Sequence, residues 1–205
     1  SNGPDGWSHQ SVEDVAVMRA IPNFRVVVPA DAIETREVVR AALARGGPLY
    51  IRLSKLEVPI IFDDSYKFEL GKGVVLRDGN DVVILAYGVM LHEALRAADA
   101  LRMRGVGAAV VDLHTVKPLD EGLVESMARR TGAVVTAEDA NVMGGLGGAV
   151  AEALARRYPV PIEMVGIRDS FGTSGETSAL YAEYGLTAEA IVEGALRAID
   201  RRERD

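Results

Sequence analysis

The sequence predicts an α/β fold: a three-layer, open, mostly parallel sheet with helices on both faces. Two observations carry this. Short β-branched runs alternate with amphipathic helical stretches through most of the 205 residues. The strongest runs, 81–87 and 107–113, are apolar at successive positions instead of alternating, as in strands covered on both sides.

Residues 1–10 hold two glycines and a proline without periodicity and read as a loop. Ser11 is the expected N-cap of a first helix, with Glu13 and Asp14 in its first turn and Pro22 beyond its end. Residues 24–28 are a short buried strand. Asp31 should cap the next helix, which stops at Gly46-Gly47, and 49–53 form a second strand. Residues 56–70, with Pro59 and interleaved aromatic and charged side chains, form an extended connector.

From Gly71 a second block begins. Strands are expected at 73–76, 81–87, 107–113, 133–137 and 162–167, and helices at 91–103, 119–130, from the Gly144 loop to Arg157, and at 187–202. This block has strands enough for a domain of its own. The first has two, which leaves an unpaired sheet edge and implies that the chain starts inside a domain.

Composition removes several function classes. There is no cysteine, so no disulfide, thiolate nucleophile, cysteine-based zinc site or iron–sulfur cluster. The three histidines lie far apart, which disfavours a His-rich metal site. A net charge of −7 and only 5% aromatic residues argue against nucleic acid and anionic lipid as partners. No apolar run approaches the ~18 residues of a membrane span, and the polar N-terminus is no signal peptide, so the expected setting is cytoplasmic.

Few residues could carry chemistry. The loop Pro4-Asp5-Gly6-Trp7-Ser8-His9-Gln10 places a carboxylate and an imidazole just before a helix. Asp5 and His9 could share a substrate hydroxyl, or Asp5 could fix the imidazole tautomer. A capped helix entrance with solvated side chains is the plainer alternative. Gly144-Gly145-Leu146-Gly147-Gly148 could approach a phosphate but lacks the pattern of a P-loop or dinucleotide site, so close helix–sheet packing or a subunit contact is favoured. Residues 171–176 could nest an anion, but more simply turn the chain into a helix holding Leu180 and Tyr181. His114 reads as a structural histidine and His92 as a surface or rim residue.

Several segments line up in order with one family: Asp5-Gly-x-x-His9-Gln10, Met18-Arg19, Ile21-Pro22-Asn23, Val28-Pro-Ala-Asp31, Arg52-Leu-Ser-Lys55, Asp112-Leu-x-Thr-Val-Lys-Pro-Leu-Asp120 and Phe171-Gly-x-Ser-Gly175. The chain thus resembles the C-terminal part of transketolase, most of all the C-terminal subunit of split transketolases. The resemblance implies that 1–58 are the rear half of a thiamine-diphosphate pyrimidine-binding domain, 59–70 a linker, and 71–205 the family's C-terminal domain.

It also implies a role in moving a two-carbon ketol unit between sugar phosphates. His9 would be the catalytic group facing the donor sugar, with Asp5 on a donor hydroxyl. Lys55, where the family usually has arginine, would meet the sugar phosphate. Thiamine diphosphate and Mg²⁺ would serve the complete enzyme. None is expected on this chain alone, because the family's catalytic glutamate, pyrimidine-holding aromatics and diphosphate site lie outside the matching segments. A chain inactive alone, an N-terminal transketolase region or subunit as partner, and a homodimer complete the expectation. Alternatives are a non-catalytic dimerisation module, or part of a deoxyxylulose phosphate synthase or of a 2-oxoacid dehydrogenase β component. The Asp5–His9 loop favours a sugar-handling member over the dehydrogenase.

Overall fold

The structure is a computed structural model that describes residues 3–204. The first part holds α1 (Asp14–Ala20), β1 (Arg25–Val27), α2 (Ala32–Arg45) and β2 (Leu49–Ile51). After a connector come β3 (Val74–Arg77), β4 (Val82–Ala86), α3 (Met90–Arg102), β5 (Ala108–Asp112), β6 (Thr115–Lys117) and α4 (Glu121–Thr131). Then follow β7 (Val134–Asn141), α5 (Leu146–Arg157), β8 (Ile162–Ile167), α6 (Thr177–Glu183) and α7 (Ala188–Arg204).

The larger sheet runs β3-β5-β4-β7-β8. Its strands are parallel except β3, which closes one edge antiparallel to β5. Every residue of β4 and β5 is buried, which is why these runs do not alternate. Ile84, Val110 and Val135 pack under α3 and α7 with Leu91, Leu101 and Ile191. Val83, Leu85 and Val111 face the other way, onto Val124 and Met127 of α4 and Leu146 and Leu154 of α5. These are the three expected layers.

The smaller sheet corrects one expectation. Its order is β2-β1-β6, so one edge of the first part is not unpaired. The third strand lies in the segment 112–120 and pairs antiparallel with β1, Val26 opposite Lys117. Lys117 Nζ then donates to the carbonyls of Arg19 (2.9 Å) and Ile21 (2.7 Å) at the end of α1. Three residues are too few for a periodicity to register, so β6 was invisible in the sequence. A second correction concerns Ser11. The N-cap of α1 is Glu13, whose carboxylate takes the Val12 N–H at 2.9 Å and lies 3.4 Å from Ser11 Oγ. The Ser11 carbonyl instead accepts from Arg52 (3.3 Å), so the residue serves the loop before the helix.

Asp31 caps α2 as expected, accepting from Glu34 N at 2.8 Å. Its second oxygen takes the Ile61 and Phe62 amides, which pins the connector over the cap. The same place joins the two parts through a buried carboxyl pair. Glu34 on α2 and Asp112 at the end of β5 are both fully buried. Glu34 accepts from Ala30 N (2.7 Å) and Tyr66 Oη (2.5 Å), whereas neither oxygen of Asp112 has a donor in hydrogen-bonding geometry. A proton on Asp112, shared with Glu34, resolves this. Burial, then the facing Glu34 carboxylate, push Asp112 well above the usual carboxylate range, and burial raises Glu34 as well.

A carboxyl whose folded pKa is raised stabilises the native state below its unfolded pKa, and that contribution is lost as pH rises through the folded value. The protein is therefore expected to lose stability as pH climbs above the ordinary aspartate range. Asp112→Asn keeps a donor for Glu34 and removes the titration. Urea unfolding across pH should show a flatter profile for the variant, with its advantage largest in alkali. Parallel profiles would mean that no proton is held there.

Candidate active site

The loop before α1 enters through Gly6, at φ 83°, a left-handed conformation that suits glycine. It then makes one 3₁₀ turn, Trp7–His9. His9 N donates to the Gly6 carbonyl (3.0 Å) and Gln10 N to that of Trp7 (3.2 Å), which turns the exposed His9 ring outward. Ser8 Oγ lies 3.2 Å from His9 Nδ1, so the neighbour at that ring nitrogen is Ser8. Asp5 is engaged elsewhere: its Oδ2 lies 2.5 Å from Lys55 Nζ. Lys55 and His9 border one groove of about 340 Å³, whose other walls include Gln10, Ser11, Asp14, Tyr50, Arg52 and Leu53. The structure thus brings His9 and Lys55 to one groove, with Asp5 joined to it through Lys55, 50 positions away in sequence.

The floor is an ion network that the sequence reading did not single out. Arg52, just past β2, donates to Asp14 (3.0 Å) and to Asp139 (2.5 Å), with side-chain exposures of 11%, 11% and 1% respectively. Tyr50 Oη donates to the same Asp14 oxygen at 2.7 Å. Burial, then this hydrogen bond, push the Tyr50 phenol up to about 12. Burial by itself would lower Arg52, but Asp139 and Asp14 outweigh it and hold the guanidinium charged. Asp14, Tyr50 and Arg52 of this network line the groove that His9 and Lys55 also border, and Asp139 holds Arg52 from outside that lining.

The other candidates are structural. Two amides of the Gly144 loop, Leu146 N (2.9 Å) and Gly147 N (2.8 Å), are taken by buried Glu138, which also accepts from Tyr87 Oη at 3.1 Å. A Cβ on Gly145 would lie 2.0 Å from the Glu138 carboxylate, which accounts for glycine there. Burial raises Glu138 to about 7 against these donors. His114 is buried against Phe68 (4.7 Å between ring centres), its Nδ1 is 2.8 Å from Thr115 Oγ1, and burial lowers it to about 4. His92 is half-buried beside α2's entrance, and burial lowers it too. The 171–176 segment does lead into α6, but Glu176 at the N-cap position gives no side-chain cap. Its partners are Gly3 and Gln10 of the His9 loop.

Among the described residues no three His, Asp or Glu side chains converge to hold a metal ion. The mouth offers an imidazole, an ammonium and a carboxylate, a donor set suited to hydroxyls and one terminal anion and not to a metal-bridged diphosphate. This donor set does not match the anchors of such a cofactor.

Residues 1–60 match the family model of the transketolase pyrimidine-binding domain, and residues 71–191 that of the transketolase C-terminal domain. The chain belongs to the transketolase family. It is 48% identical over 198 residues to a 6-deoxy-6-sulfo-D-fructose transketolase subunit, SqwH, of Clostridium sp. strain MSTE9, covering 97% of this chain and 62% of the relative. It is 38% identical to a 1-deoxy-D-xylulose-5-phosphate synthase of Crocosphaera subtropica, with 93% and 31% covered. A solved split-gene transketolase, an inactive β4 tetramer, superposes with a TM-score of 0.91 at 46% identity, over 96% of this chain and 64% of that one. The chain therefore spans less than two thirds of the length of these transketolase relatives.

Proposed function

We propose that this chain is the sugar-facing part of a thiamine-diphosphate-dependent transketolase, moving a two-carbon ketol unit between sugar phosphates. Residues 1–58 would be the rear half of the pyrimidine-binding domain, 59–70 a linker and 71–205 the C-terminal domain. The observation that carries the reading is the groove that His9 and Lys55 border, with Asp5 paired to Lys55 beside it. Thiamine diphosphate and Mg²⁺, held by a complementary N-terminal region or subunit, would supply the electron sink for C–C cleavage.

This chain's residues act on the sugar. His9 hydrogen-bonds the donor's oxygens and moves protons during cleavage and rejoining. Asp5 accepts from a donor hydroxyl. Lys55 meets the terminal anion as a compact point charge, without the fork of a guanidinium. Its pairing with Asp5 keeps both side chains at the entrance until an anion competes for the ammonium. The assembly is proposed as a homodimer of such complete units in the cytoplasm, where sugar phosphates are retained. The inactive state of the split-gene β4 tetramer supports the view that a C-terminal subunit by itself does not suffice.

The second reading, a deoxyxylulose phosphate synthase, is supported by the 38% identity to one. It differs in taking a 2-oxoacid as donor. The test is to express the full gene product with its complementary region, add thiamine diphosphate and Mg²⁺, and follow two-carbon transfer from ketose phosphates to aldose phosphates. Transfer from ketoses supports the first reading. A 1-deoxyketose phosphate formed with release of CO₂ only when pyruvate is the donor to the aldose phosphate supports the second and overturns the first.

A further inference from the structure

The His9 loop is held at both ends by one turn of the other domain. At its start, Gly175 N donates to the Gly3 carbonyl at 3.2 Å. At its end, Gln10 Nε2 donates to the Thr173 carbonyl at 3.0 Å. Between these ties the loop has one 3₁₀ turn of its own. The seam is tight: added carbons would meet backbone at Gly3 and side-chain ends at Gly6 and Gly172. A Cβ on Gly3 would lie 2.3 Å from the Gly175 carbonyl oxygen, one on Gly6 2.7 Å from Ser174 Oγ, and one on Gly172 1.8 Å from Gln10 Oε1. The turn is itself braced by Tyr184, whose Oη donates to the Phe171 carbonyl (3.3 Å) and lies 3.4 Å from Thr173 Oγ1.

We propose that the 171–175 turn is a positioning element for the sugar-facing loop, and that Gly172 is a positioning residue acting through Gln10 on His9. The inference rests on the function proposed above and adds a task for the C-terminal domain in substrate handling. Gln10 directly follows His9, closes the 3₁₀ turn through its backbone N–H and also borders the groove, so the tie from its amide to Thr173 anchors the residue on which the turn ends. Gly172 leaves room for that amide; a Cβ there, 1.8 Å from Gln10 Oε1, requires the amide to move. A reacting group displaced by about 1 Å can cost on the order of 100-fold in rate.

The test uses the complete enzyme with Gly172→Ala, Gln10→Ala and the double variant. Each single change should lower kcat/KM for the donor roughly 10- to 100-fold, with thiamine diphosphate affinity and assembly unaltered. The double variant should be no worse than either single one, because both act through the same side chain. Hydrogen exchange at the His9 and Gln10 amides should quicken in all three. Gln10→Ala creates no clash, so it remains informative if Gly172→Ala does not fold. Activity within twofold of the parent, or losses that multiply in the double variant, overturns the inference and leaves the proposed function intact. A parent that transfers no two-carbon unit overturns that function instead; the exchange measurement then decides the positioning role, and unchanged exchange refutes it.

Discussion

Replacing His9 by alanine in the assembled enzyme is expected to lower kcat/KM by roughly 10²–10⁴, the usual range for a positioned acid–base group. The ring is exposed at the groove mouth and its described contact is Ser8 Oγ, so little packing is lost with it. Stability should change by no more than about 0.5 kcal/mol. Thiamine diphosphate affinity should hold, because the groups proposed to anchor it lie outside this groove. A helix-entrance role predicts the reverse: a lower melting temperature with near-normal turnover. Steady-state kinetics and a melting curve on one preparation separate the two. Turnover within about threefold of the parent, with melting many degrees lower, would remove His9 from the chemistry.

Arg52→Met should be the most damaging single change to folding, costing about 3–5 kcal/mol, as when one partner of a buried ion pair is removed. Methionine fills much of the same volume, so the loss reports the charge. Asp139 and Asp14 would be left beside each other's field with no cation between them. For a chain of this length the melting temperature should fall by roughly 6–20 °C. The deficit should shrink in acid, where abandoned carboxylates can be neutralised. Adding Asp139→Asn should recover part of it. A melting temperature within a degree or two of the parent would mean that the network contributes little beyond geometry.

The sequence made some of this legible and concealed the rest for identifiable reasons. The central strands were readable because burial on both faces leaves an uninterrupted apolar run, as in Val82–Ala86. Asp31 was readable because a cap acts within three residues. Asp5 and His9 stood out as a carboxylate and an imidazole in one short loop, and Lys55 through the resemblance; the structure adds that Lys55 crosses 50 positions to meet Asp5. Arg52, Asp14 and Asp139 escaped notice because a buried charge looks like any surface charge until its partners fold against it. Arg52 and Asp139 are 87 positions apart. Gly172 and Gly175 read as turn formers in the sequence; that the space beside Gly172 is taken by Gln10, and that the Gly175 N–H is tied to Gly3, depends on contacts more than 160 positions long. β6 was hidden by its length.

That last strand governs the order in which the protein can form. β2 ends at Ile51, and the strand that completes its sheet starts at Thr115. A ribosome adding about 5–20 residues per second needs several seconds to cover that distance. During that interval β1 presents a bare edge of Val26 and Val27, available to any neighbouring strand. Within the described residues β1 therefore gains its second neighbour only from beyond the family boundary that falls at residue 60. A chaperone or a co-translationally bound partner would have its greatest effect on this chain in those seconds, before Val116 arrives to close the seam.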